Sequence, residues 1–115
     1  MDFSSIKAIE LSGMKDFALS ANNINAVYFD NLTTVGEYGL YNAFNGCKGV
    51  ERYNFYSLET IEKYGLYSAF ANGGPVSYFE FPSLKRIGQY GLSRIFYNCS
   101  GNIQHIILDN VESVG

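Results

Sequence analysis

The sequence is poor in several of the residues that chemistry needs. There is no tryptophan, and there are only two prolines, two cysteines and one histidine. With a single imidazole, any Ser-His-Asp or Cys-His relay must run through His105. Two cysteines and one histidine also fall short of the four ligands of a structural zinc site. No paired carboxylates and no phosphate-cradling glycine loop supply another mechanism, so the sequence reads as non-catalytic, with no cofactor and no metal. Charge is scarce as well. Eight Lys and Arg face eleven Asp and Glu, giving a net charge of -3. No basic stripe is available to collect phosphates, which argues against nucleic acid as a partner. No apolar run approaches the roughly 18 residues of a membrane span, so no membrane insertion is expected. The start, Met1-Asp2-Phe3-Ser4-Ser5, lacks the basic and apolar regions of a signal peptide. A complete chain would then be cytoplasmic.

What is abundant points to a folded domain. Hydrophobic residues make up 47%, with ten Tyr and nine Phe in 115 residues. Aromatics at this density suit pleated, half-buried surfaces. A single domain over residues 1–115 would bury roughly 65% of the surface its unfolded chain exposes.

The dominant feature is an internal repeat. A shift of 26 residues lays Leu32-Thr33-Thr34-Val35-Gly36-Glu37-Tyr38-Gly39-Leu40-Tyr41-Asn42-Ala43-Phe44 on Leu58-Glu59-Thr60-Ile61-Glu62-Lys63-Tyr64-Gly65-Leu66-Tyr67-Ser68-Ala69-Phe70. A second shift reaches Leu84, Ile87, Tyr90-Gly91-Leu92, and a shift back reaches Ile6, Ile9 and Gly13. The units run 6–31, 32–57, 58–83 and 84–110, the last with one extra residue, followed by a partial unit at 111–115. A fixed period in this range marks a solenoid or array, in which no unit buries its apolar face alone.

Within each unit the apolar period changes once. Leu40, Ala43, Phe44 and Cys47 fall at i, i+3, i+4 and i+7, as do Met14, Phe17, Ala18 and Ala21, then Leu66, Ala69, Phe70 and Gly73, then Leu92, Ile95, Phe96 and Cys99. This spacing predicts one stripe of a short helix. Val27 and Phe29, Tyr53 and Phe55, Phe79 and Phe81, and Ile106 and Leu108 instead alternate, which predicts a strand of about five residues with one buried face. Strand and helix repeating in one order place the strands parallel and the helices on the opposite layer. The expected fold is therefore an α/β repeat, a leucine-rich-repeat-like right-handed solenoid with short parallel strands on one face and short helices on the other.

The run Ile/Val-Gly-x-Tyr-Gly-Leu-x-x-Ala/Ile-Phe-x-x-Cys, followed by a short strand ending in Phe-Pro-Ser-Leu, resembles the BspA-like leucine-rich repeats of bacterial surface and phage-encoded proteins. The resemblance spans Phe3 to Gly115, with a unit three residues longer than the commoner form. It implies adhesion or attachment at a bacterial or phage surface, and a cell-surface location if the chain is a segment of a longer protein. The alternative is a small soluble intracellular inhibitor that blocks a partner protein.

Alternation points Ala26, Tyr28, Arg52, Asn54, Tyr78, Glu80, His105 and Ile107 away from the core. The core slots repeat and these do not, which is what a recognition surface needs. Tyr28, Arg52, Asn54, Tyr78, Glu80, His105 and Ile107 are the candidate binding residues, with a protein as the expected partner and a glycan as the alternative. Tyr41, Tyr67 and Tyr97 form a second candidate row on the helical side. Cys47 and Cys99 share a slot two units apart, about 10 Å by strand spacing, so both are expected as free thiols in small core positions. Both ends cut through a unit without a polar cap, so the chain is expected either to be a segment of a longer array or to cover an end face by self-association through the solenoid ends or with a partner.

Overall fold

In the computed structural model, which describes residues 1–21, 23–74, 78–99, 105–107, 111 and 113–115, every regular element is a short strand. At Tyr78, Glu80 and residues 105–107 the description is of the backbone. The strands form two series. One comprises β1 (Ala8–Ile9), β3 (Thr34–Val35), β5 (Thr60–Ile61), β7 (Arg86–Ile87) and β9 (Ser113–Val114), paired parallel in that order. The other comprises β2 (Ala26–Tyr28), β4 (Arg52–Asn54), β6 (Tyr78–Glu80) and β8 (His105–Ile107), with β2 paired to β4 and β6 to β8, also parallel, and β6 lying beside β4.

The register follows the sequence period. Thr34 faces Thr60, and Val27 faces Tyr53, each 26 residues on. Tyr78 faces His105 and Arg86 faces Ser113, each 27 residues on, so the extra residue of the last unit is absorbed before β8. The alternating strands lie where the alternation predicts, but they are three residues long rather than five. The series through Val35, Ile61 and Ile87 is additional: two residues per strand are too few to show a period of 2.

The predicted helices are not formed; no α-helix occurs among the described residues. Residues 11–20, 37–46, 63–72 and 89–98 are instead continuous runs of turns, which we term ribbons. Their backbone hydrogen bonds divide by parity. Odd N–H groups close turns onto the carbonyl three residues back, as Gly39 to Gly36 (2.8 Å) and Ala43 to Leu40 (3.0 Å). Even N–H groups leave the unit and donate to the next ribbon, as Leu40 to Gly65 (2.7 Å) and Phe44 to Ala69 (2.8 Å). An α-helix would spend all of them internally, on the carbonyl four residues back.

Closing such turns requires a left-handed residue every fourth position. Ser12, Asp16 and Ser20, Tyr38 and Asn42, Tyr64, Ser68 and Asn72, and Tyr90, Arg94 and Asn98 all have φ between 52° and 57°, and Gly46 completes the second ribbon at 81°. Asn, Asp and Gly tolerate this region best, whereas each other L-residue costs about 1–2 kcal/mol there. The period is thus 4.0 rather than 3.6. It still sends Leu40, Ala43, Phe44 and Cys47 inward, since rows i, i+4 and i+3, i+7 adjoin under either period. All four are fully buried. The repeated glycines belong to this close packing: a Cβ at Gly65 would stand 2.7 Å from Ile61 Cγ2.

The core runs between the strands and the ribbons. Phe3, Phe29, Phe55 and Phe81 form one column, with successive centroids 4.7, 5.3 and 5.7 Å apart. Phe44, Phe70 and Phe96 form a second at 5.9 and 5.8 Å. Leu40 and Leu66 are sealed, while their equivalents in the outer units, Met14 and Leu92, are only partly covered. Phe17 departs from the expected stripe and is 50% exposed, whereas Ala43, Ala69 and Ile95 in the same slot are buried, because among the described residues no earlier ribbon packs over the first one. The result is a small compact domain of parallel strands, with principal extents of 32, 28 and 23 Å.

Candidate functional site

The outward row of the second strand series is assembled by register. Ala26 stands beside Arg52, and Tyr28 beside Asn54; on the other pair Tyr78 stands beside His105, and Glu80 beside Ile107. Between these positions Val27, Tyr53 and Phe79 are buried, so the strands have one inner and one outer face. Arg52 is exposed, and Tyr28 and Asn54 are half-buried. The backbone brings Tyr78, Glu80, His105 and Ile107 onto the same strand series, while their side chains lie outside the described residues.

Asn54 is not a free side chain. Its Nδ2 donates to Asp30 Oδ1 at 2.6 Å, and Ser57 Oγ donates to the Asp30 carbonyl at 2.6 Å. The strand exit is thereby fixed, and Arg52 and Tyr28 rise from an ordered base. At the outer edge Met1–Phe3 continues the row: the terminal ammonium donates to the Ala26 carbonyl (2.7 Å), and the Phe3 N–H to the Tyr28 carbonyl (2.7 Å). Two hydrogen bonds from Ser4 hold the Asp2 carboxyl below its ordinary range.

A second surface on the ribbons was only partly anticipated. Tyr38, Tyr64 and Tyr90 stack face to face with centroids 5.0 and 5.1 Å apart, and Tyr41 stacks on Tyr67 at 5.1 Å beside them. Lys15 lies over the Tyr41 ring at 5.5 Å and the Tyr38 ring at 6.0 Å, which closes one end of both columns. Tyr97 is not part of either column. It takes the slot of Asn45, with the Arg94 guanidinium over its ring at 5.2 Å. Tyr38, Tyr64 and Tyr90 escaped the sequence reading as a surface, although an identical residue at one slot of a 26-residue period was the signal for a stack. Because the rings cover each other, this surface presents mostly edges and hydroxyls. Partial desolvation, followed by the neighbouring phenols, raises the Tyr64 hydroxyl above its ordinary value.

Cys47 and Cys99 are free thiols in equivalent places. Each donates to a carbonyl 29 residues back, Cys47 to Ala18 (2.9 Å) and Cys99 to Phe70 (3.3 Å). Burial pushes both thiols up, away from the thiolate that a nucleophile or metal ligand requires. Among the described residues no three His, Cys, Asp or Glu side chains are grouped as a metal site would need. No helix among them is long and apolar enough to cross a membrane.

One face carries a varied polar and aromatic row, and another carries a regular phenolic one. No family model, curated protein or solved structure matches the chain.

Proposed function

We propose that the chain is a non-catalytic binding scaffold, a leucine-rich-repeat-like solenoid of the BspA type, whose outward strand row grips a protein. The observation that carries this reading is the contrast between slots. At the inner position the strands hold Val27, Tyr53, Phe79 and Ile106, all apolar; at the flanking positions they hold Ala26, Arg52, Tyr78 and His105, then Tyr28, Asn54, Glu80 and Ile107. A constant interior under a changing exterior is how a repeat scaffold carries specificity. Two tyrosines and one arginine stand among these eight flanking positions, and such residues carry much of the energy of protein interfaces.

A protein suits the molecule better than a glycan. Sugars stack on open aromatic faces, whereas the tyrosine columns spend their faces on each other. The resemblance to BspA-like repeats supports a role in adhesion or attachment at a bacterial or phage surface.

The test is capture of a partner from the native host with the immobilised chain, followed by titration of that partner. Replacing Arg52, Tyr78 and His105 together by alanine should leave the thermal midpoint within about 2 °C and weaken binding at least tenfold, since each such anchor is worth about 1–2 kcal/mol. Undiminished affinity in the triple variant would rule out the strand row.

A further inference from the structure

The ribbons point to how this chain meets a second copy of itself. Between successive ribbons the bonding runs one way only. At each of three junctions five even-numbered N–H groups of the earlier ribbon donate to five odd-numbered carbonyls of the later one, from Ser12 to Glu37 through Asn72 to Tyr97. The same ladder is open at both ends. Among the described residues, the N–H groups of residues 90, 92, 94, 96 and 98 have no acceptor, and the carbonyls of residues 11, 13, 15, 17 and 19 have no donor. The two sets have equal number, spacing and opposite polarity.

The acceptor end is also marked by its side chains. Leu11, Phe17 and Leu19 are 68%, 50% and 53% exposed. Leu11 takes a slot that is Glu37, Lys63 and Gln89 in the other ribbons, and Leu19 one that is Asn45 in the second. At Leu11 an apolar group thus replaces polar ones, and with Phe17 and Leu19 it leaves an apolar edge where the carbonyls lack partners. At the donor end Tyr90 and Tyr97 are half exposed, and Leu92 and Phe96 are only partly covered.

We propose that the chain assembles head to tail, the last ribbon of one copy donating its five N–H groups to the first ribbon of the next. At each of these ends one strand series, unlike the ribbons, is already covered. Met1–Phe3 takes the place beside β2 that a preceding unit's strand would fill, and β9 takes the place beside β7 that the incoming β1 would fill. Both fillers are light: Met1, Asp2, Ser113, Val114 and Gly115 are exposed. Assembly therefore exchanges two exposed terminal segments for a continuous pair of sheets and a continuous ribbon. The association is isodirectional and does not close on itself after two copies. It stands independently of the partner proposed for the strand row.

Light scattering over a dilution series of the 115-residue chain tests this. The weight-average mass should climb past that of a dimer with concentration, and removal of residues 113–115 should shift the rise to at least tenfold lower concentration. Leu11→Lys with Leu19→Lys, and separately Tyr90→Lys with Tyr97→Lys, should each be monomeric alone; mixed, they should form one-to-one dimers and nothing larger. A dimer of either variant alone would mean like ends meet, and would overturn the proposal. A full chain and a 113–115 deletion that both stay monomeric at every concentration would overturn it as well, without reliance on the lysine variants.

Discussion

The strands and the ribbons solve the same problem, tying one unit to the next, in opposite ways. Strand bonds run in both directions between units: the Phe29 N–H donates forward to the Asn54 carbonyl, while the Glu51 N–H donates back to Asn25. Ribbon bonds run forward only. The strands need no unusual backbone, and no left-handed residue falls within them; the ribbons need one in every four residues. The difference teaches where sequence identity matters. In the strands side-chain alternation decides the structure, whereas in the ribbons backbone conformation decides it, and the buried side chains only select which neighbour is met.

The strongest way to break this comparison is to empty the core that both layers share. Phe70 is fully buried against Phe44, Tyr53, Phe55, Phe79 and Phe96. Phe70→Ala should cost about 3–5 kcal/mol in urea unfolding, enough to leave much of a small domain unfolded. A loss under about 1 kcal/mol would mean that the ribbon does not pack there.

A smaller effect separates ribbon from helix. Gly46 has φ of 81°, and a Cβ there would stand 2.7 Å from Ser20 Oγ, so Gly46→Ala should destabilise by about 1–2 kcal/mol. Arg94 has φ of 55°, so Arg94→Gly should relieve strain and be neutral or stabilising by up to about 1 kcal/mol. In a helix both signs would reverse, because alanine is favoured there over glycine by about 1 kcal/mol. The pair of unfolding midpoints decides between them.

The smallest effect is in alkali. Burial raises the Cys47 thiol from its ordinary 9.0, and it raises the Tyr53 phenol from its ordinary 10.0, with Cys47 and Cys99 adding to the latter. Both groups hold their protons longer folded than unfolded, so their contribution is complete below about pH 9 and is lost as pH rises through the folded values. The urea midpoint should be level from pH 7 to 8.5 and fall by pH 10.5; a level midpoint throughout would contradict the burial of both groups.

Much of this organisation could be read from the chain, and the failures have a definite cause. Val27, Tyr53 and Phe79, each two residues before a buried phenylalanine, announced the strands and their faces correctly. Leu40, Ala43, Phe44 and Cys47 announced burial correctly and conformation wrongly, because over seven residues the periods 3.6 and 4.0 select the same positions. The discriminating residues were Asn42 and Gly46, Ser68 and Asn72, and Asp16 and Ser20, small or turn-forming residues four apart; Tyr38, Tyr64 and Tyr90 masked the pattern, since tyrosine is a poor guide to a left-handed site. The outward placing of Arg52 followed from strand alternation. Of the tyrosine columns, Tyr41 and Tyr67 were expected as a row, whereas Tyr38, Tyr64 and Tyr90 were not, although one residue type kept at one slot of the 26-residue period signals a stack.

The forward sense of the ribbon bonds has an electrical consequence. Each inter-ribbon peptide group carries a dipole of about 3.5 D, and those that bridge the ribbons align rather than cancel, as they do in the sheets. The ribbon side of the molecule is therefore polarised along the direction of stacking, positive where amide hydrogens emerge beyond Tyr90 to Asn98 and negative where oxygens emerge before Leu11 to Leu19. Lys15 sits beside the negative end. An anion approaching this protein would distinguish its two ends by field alone.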